Sequence, residues 1–391
     1  MSRNRVIYQS EGLYVSENAS VTGASSHEQL NRVQSANYSF TINRQDVNQF
    51  GDLARIDSLV LDPPTVSLDF SYYLTDGFNE RSLGFFVETT GSGMNRGGAG
   101  SPASQGNFAS GHLTSSSGVN FFITTSPDGE DLNKPGINGS GVALGSSDTV
   151  IGVGNCYASD YSVELAVGSL PTVNVTVEGA NMNSATIDAN GDISNPAINQ
   201  ESGTVLTDKV RLPNPTLDGG ITGTVGAAPI TALRPGDVTL DLSNIDGVSL
   251  VKLDGTEGAH IQSASISLPL SRSPIARLGS KFPFAREVDF PVTATMSVSA
   301  IVANTQAANL ADLLTSGVQE ASVTVKDGST DNTPAVKYTM KGLKVDSQSF
   351  SSSIGSNKTV DITFSTQIGG PNDTLNGVFM SGVNGENAVF V

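Results

Sequence analysis

The sequence predicts a mainly β chain in which one structural unit occurs twice. Three observations carry that expectation: the composition, the period of the apolar residues, and an internal repeat. Charged residues are only 15% of the 391, while Gly contributes 42 and Pro 17. The polarity comes from Ser, Thr and Asn, which interleave with Val and Ile as strands and turns do. Disordered chains are polar through charge instead.

Apolar and polar residues alternate with period two, the pattern of a sheet with one dry and one wet face. Tyr38, Phe40 and Ile42 alternate with Ser39, Thr41 and Asn43, and Val66, Leu68 and Phe70 with Ser67, Asp69 and Ser71. Val173, Val175 and Val177 alternate with Asn174, Thr176 and Glu178. Further on, Val292, Ala294, Met296 and Val298 stand against Thr293, Thr295, Ser297 and Ser299, and Val360, Ile362 and Phe364 against Asp361, Thr363 and Ser365. Gly168–Ser169 and Gly355–Ser356 are turn signals, each joining two strands as a hairpin.

Residues 33–71 align without a gap to 261–299, with ten identities that include Gln34/Gln262, Arg44/Arg272, Gly51/Gly279 and Pro63/Pro291. Residues 162–177 align to 349–364 with six identities, among them Gly168/Gly355 and Thr176/Thr363. Both blocks keep their order, as a tandem duplication requires. The expected division is a first domain over 1–180, linker or tail segments over 181–236, and a second domain over 237–391. The first copy carries extra residues, chiefly a Gly/Ser-rich insertion within about 75–110 (GSGMNRGGAGSPASQG, 91–106), with a second surplus near 131–147. One helix is expected at 306–317, where Leu310, Leu313 and Leu314 share a face and Gly317 ends the run.

The net charge of −17 and a pI near 4.4 argue against a nucleic-acid binder, which needs Lys and Arg for phosphates. No stretch approaches about 20 apolar residues, so no membrane insertion is expected. The N-terminal MSRNRVIYQSEGLYVS has no apolar core of a signal peptide, so synthesis in a cytoplasm without secretion is expected. Cys156 stands alone, suited to a buried small apolar residue. His27, His112 and His260 lack zinc spacing, and no G-x-S-x-G elbow exists. Asp188, Asn190 and Asp192 have calcium-loop spacing, but Ile193 and Asn199 stand where Gly and the bidentate Glu are required. Asp69 and Glu178 have nothing to shape a pocket around them. No catalytic residue, metal or cofactor is expected.

None of the wet-face positions named above is Lys or Arg, whereas exposed sheet faces usually mix charges of both signs. A Ser/Thr-rich β-protein in a low-Lys background would look the same on this face alone. The strand SFTINR, the loop QDVNQFGDLARIDSLVLDPP, the return strand TVSLDFSYY and the hairpin VGSLPTVNVTV together resemble the tail tube (major tail) proteins of long-tailed bacteriophages. The resemblance implies two tandem β-sandwich domains, each with about one short helix, whose inner sheets join into a multi-subunit β-barrel. It implies stacked rings, here trimers with pseudo-sixfold symmetry, through which double-stranded DNA passes without specific binding. Partners would be the chain itself and other tail proteins (tip or initiator, tape measure, terminator), and the location the virion tail.

On that reading Ser39, Thr41, Asn43, Ser67, Asp69, Ser71, Asn174, Thr176 and Glu178 line the lumen. So do Ser267, Ser271, Thr293, Thr295, Ser297, Asp361, Thr363 and Ser365. The loops 45–62 and 273–290 would meet a neighbouring subunit or the next ring through Val47, Phe50, Leu53, Ile56, Ile275, Leu278, Phe282 and Phe284. Arg44 and Arg272 would pin their bases; the alternative is that these loops fold back on their own domain. The competing functions are a Ser/Thr-rich adhesin or glycan-binding module and a capsid or decoration protein. Against the adhesin stand the absence of Trp and an aromatic content of 6%.

Overall fold

The computed structural model describes residues 10–16, 27–89, 106–114, 118–127, 132, 144–213, 215, 233, 238–241, 259–279, 282–303, 319–327, 333–370 and 373–382. In the first half the strands are β1 (Glu11–Ser16), β2 (His27–Gln29), β3 (Val33–Thr41), β4 (Arg44–Val47), β5 (Asp57–Val60), β6 (Thr65–Tyr73), β7 (Val87–Thr89), β8 (Val119–Thr125), β9 (Thr149–Ala166) and β10 (Thr172–Gly179). There follow β11 (Asn181–Thr186) and the short β12 (Ile193–Ser194), β13 (Ile198–Asn199), β14 (Thr204–Val205) and β15 (Lys209–Val210). The second half has β16 (Val238–Asp241), β17 (Ala259–Pro269), β18 (Arg272–Ile275), β19 (Ala285–Val288), β20 (Val292–Val302), β21 (Gln319–Asp327), β22 (Thr333–Ser351), β23 (Thr359–Ile368) and β24 (Gly377–Gly382). Two five-residue helices, α1 (Phe78–Ser82) and α2 (Ser110–Thr114), complete the described elements. The chain is thus mainly β. The helix expected at 306–317 and most of the Gly/Ser-rich stretch 91–106 lie outside the described residues.

Eight strands lie side by side in the order β3-β6-β10-β9-β17-β20-β23-β22. The first four come from the first half and the last four from the second. Every neighbouring pair is antiparallel, including the seam β9·β17 where the halves meet. The strands form here because alternate residues are apolar and find cover: β6 runs exposed-buried along its length, with Val66, Leu68, Phe70 and Tyr72 inward. β10 and β23 repeat the pattern.

β9 and β22 are the long strands, 18 and 19 residues, and each serves two layers. The start of β9 pairs with β8 and β11, and the start of β22 with β21 and β24. Those outer layers cover the apolar side of the inner sheet, as the Phe70–Phe121 ring contact at 5.7 Å shows in the first half. One contiguous core spans both halves, from Leu68 and Val175 to Ile266, Met296 and Phe364, and a smaller cluster around Tyr14, Phe122 and Val210 lies in the first half.

The pairings of the two halves correspond position by position. Val33 faces Tyr72 and Ser35 faces Ser71 across a one-residue bulge; Ile261 faces Ala300 and Ser263 faces Ser299 across the same bulge. In β10·β9 the register shifts after Thr176↔Asp160, and in β22·β23 at the matching Ser347↔Thr363. These are the sequence offsets at which the two blocks align. Gly168 and Gly355 both adopt positive φ, 84° and 89°, at the matching hairpin turns, a conformation that carries no steric cost for glycine.

The segment read as linker carries short strands and buried apolar residues over 181–212. β11 extends the outer layer beside β9, and Ile193, Ala197, Ile198, Val210 and Leu212 are buried. Asn155, at a positive φ of 54°, donates from Nδ2 to the Ile198 carbonyl and accepts from the Ile198 N–H. The Asn, Gly, Pro and Asp content that resembled a linker instead makes tight turns between short, well-buried apolar anchors. The first half also reaches into the second: β7 adds to β24 in parallel, and the Phe108 N–H donates to the Val378 carbonyl.

Candidate functional site

The pleat of the eight-strand sheet sends one set of side chains into the core and the other to a single outer face. One row across all eight strands reads Ser35, Ser71, Asn174, Ser162, Ser267, Thr295, Ser365 and Lys344. Beside it run Glu164, Ser265, Ser297, Thr363 and Ser347. The expected residues Ser39, Thr41, Ser67, Asp69, Ser71, Asn174, Thr176, Glu178, Ser267, Thr293, Thr295, Ser297, Asp361, Thr363 and Ser365 all stand on this face, half-exposed or exposed. Sequence reasoning missed Ser35, Asn37, Asp160, Ser162 and Glu164. The signal was present in SDYSVELA, where Asp160, Ser162 and Glu164 alternate with the buried Tyr161, Val163 and Leu165.

Asn43 and Ser271 are corrections. Both lie past the ends of β3 and β17, at the base of a hairpin arm. Asn43 donates from Nδ2 to Asp62 at 2.8 Å, and the Ser271 carbonyl accepts from the Asp289 N–H. Alternation continued through them in the sequence, but the strands stop where the chain turns into the arms.

Asp69, Asp160, Glu164, Glu178 and Asp361 make the face acidic, with Lys344 the one cation at the strand positions just named. A second cation reaches it from an arm. Arg286 of β19 lies 3.4 Å from Glu178 and 6.0 Å from the ring centre of the buried Tyr157. Arg272 sits over the same ring at 4.8 Å and donates to the Arg286 and His112 carbonyls. Arg272 therefore ties β18 to β19 and to the first half. Arg44, its counterpart, is exposed, since among the described residues no aromatic ring or second carbonyl is placed against it as Tyr157 and His112 are against Arg272. Arg286→Ala is expected to lower stability by about 1 kcal/mol or less, since Glu178 is nearly half exposed and solvent screens the pair; a shift in denaturant midpoint measures it.

The arms β4–β5 and β18–β19 project rather than fold back. Phe50, Leu53 and Leu278 at their tips are fully exposed, and Ile56, Ile275 and Phe284 about half so or somewhat less. Val47 and Phe282 are half-buried. Between the arm bases lies a cleft of about 730 Å³, lined by Val60, Leu61, Pro63, Pro274 and Phe282 among others.

Beneath the face, a buried polar cluster joins the halves. Tyr72 and Tyr161 donate to Glu80 Oε1 at 2.9 and 3.3 Å, and the Tyr161 hydroxyl lies 2.8 Å from that of Tyr338 in the second half. Complete burial pushes the Glu80 carboxyl up to about 7, further raised by Asp76 and opposed by hydrogen bonds from the backbone and the two tyrosines. Tyr338→Phe removes one hydroxyl from this chain and should cost about 1 kcal/mol, read from the thermal or denaturant midpoint.

The remaining polar candidates have structural partners. Asp188 accepts from the N–H groups of Asn190 and Asp192, while Lys209 and Arg211 pair with Asp188 and Asp192. His112 is buried against Phe85, and burial lowers it to about 3. Cys156 is buried, its thiol pushed up by desolvation. Among the described residues no group of three or more His, Cys, Asp or Glu could hold a metal. No protein-family model and no curated protein matches this sequence.

Proposed function

We propose that this chain is the repeating structural subunit of a phage-type tail tube. The observation that carries the reading is the eight-strand sheet, which presents one face of short hydroxyls, amides and carboxylates across both halves. Two tube domains in tandem account for the matching registers and bulges. Three chains then supply about 24 strands, enough for a closed barrel around an aqueous channel. The face lines that channel; it repels a polyanion and offers it almost no cation, so DNA slides without being held. The arms, with their bare Phe50, Leu53 and Leu278, meet the next ring. The chain makes no bond and breaks none; it works as a wall in the virion, joined by tip, tape-measure and terminator proteins.

Negative-stain electron microscopy of the concentrated protein in physiological salt tests this. Rings or striated tubes with a stain-filled channel are expected. Compact monomers at every concentration, unchanged by a tail-tip initiator, would overturn it.

A further inference from the structure

The inner sheet ends in two strands that, among the described residues, have no strand on their outer side. At one end β3 pairs only with β6. At the other, the last part of β22 pairs only with β23, while its earlier part has β21 and β24 on its two sides. Unprotected edges of this kind invite another strand, and proteins that must stay apart guard them with Lys, Pro or a covering segment. Lys344 stands where the open part of β22 begins; Val33–Thr41 and residues 347–353, the stretches that match the internal seam, contain no Lys, Arg or Pro.

These two edges are also the counterparts of the two strands that already meet inside the chain. β3 corresponds to β17, and residues 347–353 correspond to 160–166 of β9; each has the same register and the same bulge toward its inner neighbour. At the internal seam the apolar side chains are covered: Ile266 is 1% exposed, Leu268 0% and Val163 0%. At the matching open-edge positions Tyr38 is 38% exposed, Phe40 57% and Phe350 39%.

We infer that the β3 edge of one chain pairs antiparallel with residues 347–353 of a second copy, in the register of the internal seam. That seam sets Ser263 opposite Ala166, Ile266 opposite Val163, Ser267 opposite Ser162 and Pro269 opposite Asp160. Shifted by the repeat offsets, it sets Ser35 opposite Ser353, Tyr38 opposite Phe350, Ser39 opposite Ser349 and Thr41 opposite Ser347. The contact is head to tail, so it propagates until a ring closes. Tyr38 against Phe350 makes an aromatic cross-strand pair, and no charged residue opposes another. The polar face then runs on without a break from one chain to the next. This inference rests on the self-assembling tube reading and supplies its chain-to-chain joint.

The test is a Ser39→Cys/Ser349→Cys variant of the full chain, concentrated and treated with a short bis-alkylating thiol reagent. Both serines are exposed, and Cys156 is buried and out of reach. Covalent dimers and a closed larger ring are expected, at least tenfold more than from Ser39→Cys/Ser349 left unchanged or from Ser39→Cys/Ser351→Cys, whose second site is displaced by two residues along the strand. Hydrogen exchange on the unsubstituted chain gives an independent reading, with amides of 35–41 and 347–353 slowed on assembly. Oligomers by light scattering without this cross-link and without that protection overturn the joint and leave the tube standing. Monomers at every concentration overturn both.

Discussion

On the proposed tube reading, assemblies carrying Asp69→Lys, Glu164→Lys and Asp361→Lys should retain double-stranded DNA that assemblies of the unsubstituted chain let go. All three carboxylates are exposed on the polar face, so the substitutions bury no charge. Three chains per ring would place roughly nine new cations around the channel, each able to displace a counterion from the phosphates. Retention should therefore be steeply salt-dependent, falling on the order of 10³-fold or more between about 50 and 200 mM salt. Co-sedimentation of short duplexes with assembled tubes measures it. Variant tubes that assemble normally and still ignore DNA at the lower salt would show that this face is not the channel wall.

Glu80 sets the second large effect, on stability against pH. Its folded carboxyl titrates at about 7, above the ordinary value of 4.5, because burial disfavours the charged form. Between those two values the folded chain holds a proton that the unfolded chain has released. Stability from this group is therefore fully present below about pH 4.5 and is lost as pH rises through 7. The loss is on the order of 3 kcal/mol. Glu80→Gln keeps an acceptor for Tyr72 and Tyr161 without the charge. It should flatten the decline from pH 4.5 to 8 relative to wild type and leave the variant more stable at pH 8. Parallel curves for the two proteins would mean that Glu80 is charged at neutrality, with water or a cation reaching it.

Much of the inner sheet was legible in the sequence because strand alternation and the internal repeat are local, additive signals. Ser67, Asp69 and Ser71 on one side and Leu68 and Phe70 on the other could be assigned from period two alone. The arms were legible as loops bearing Phe50 and Leu278, but only the structure shows that these side chains are bare. What stayed hidden depends on contacts between distant segments. The folded character of 181–212 rests on Asn155 meeting Ile198, 43 residues away. The Glu80 cluster depends on Tyr338, brought across the two halves. Arg286 over Glu178 required knowing that one arm rests on the other half.

The seam between β9 and β17 has a kinetic meaning. In the ring proposed above, half of the six joints form as each chain folds and so arise at a rate indifferent to concentration. Only three joints between separate chains remain, so the yield of rings from free subunits rises with about the third power of chain concentration rather than the sixth. A fused pair can thus begin a ring at concentrations where single units would stay dispersed.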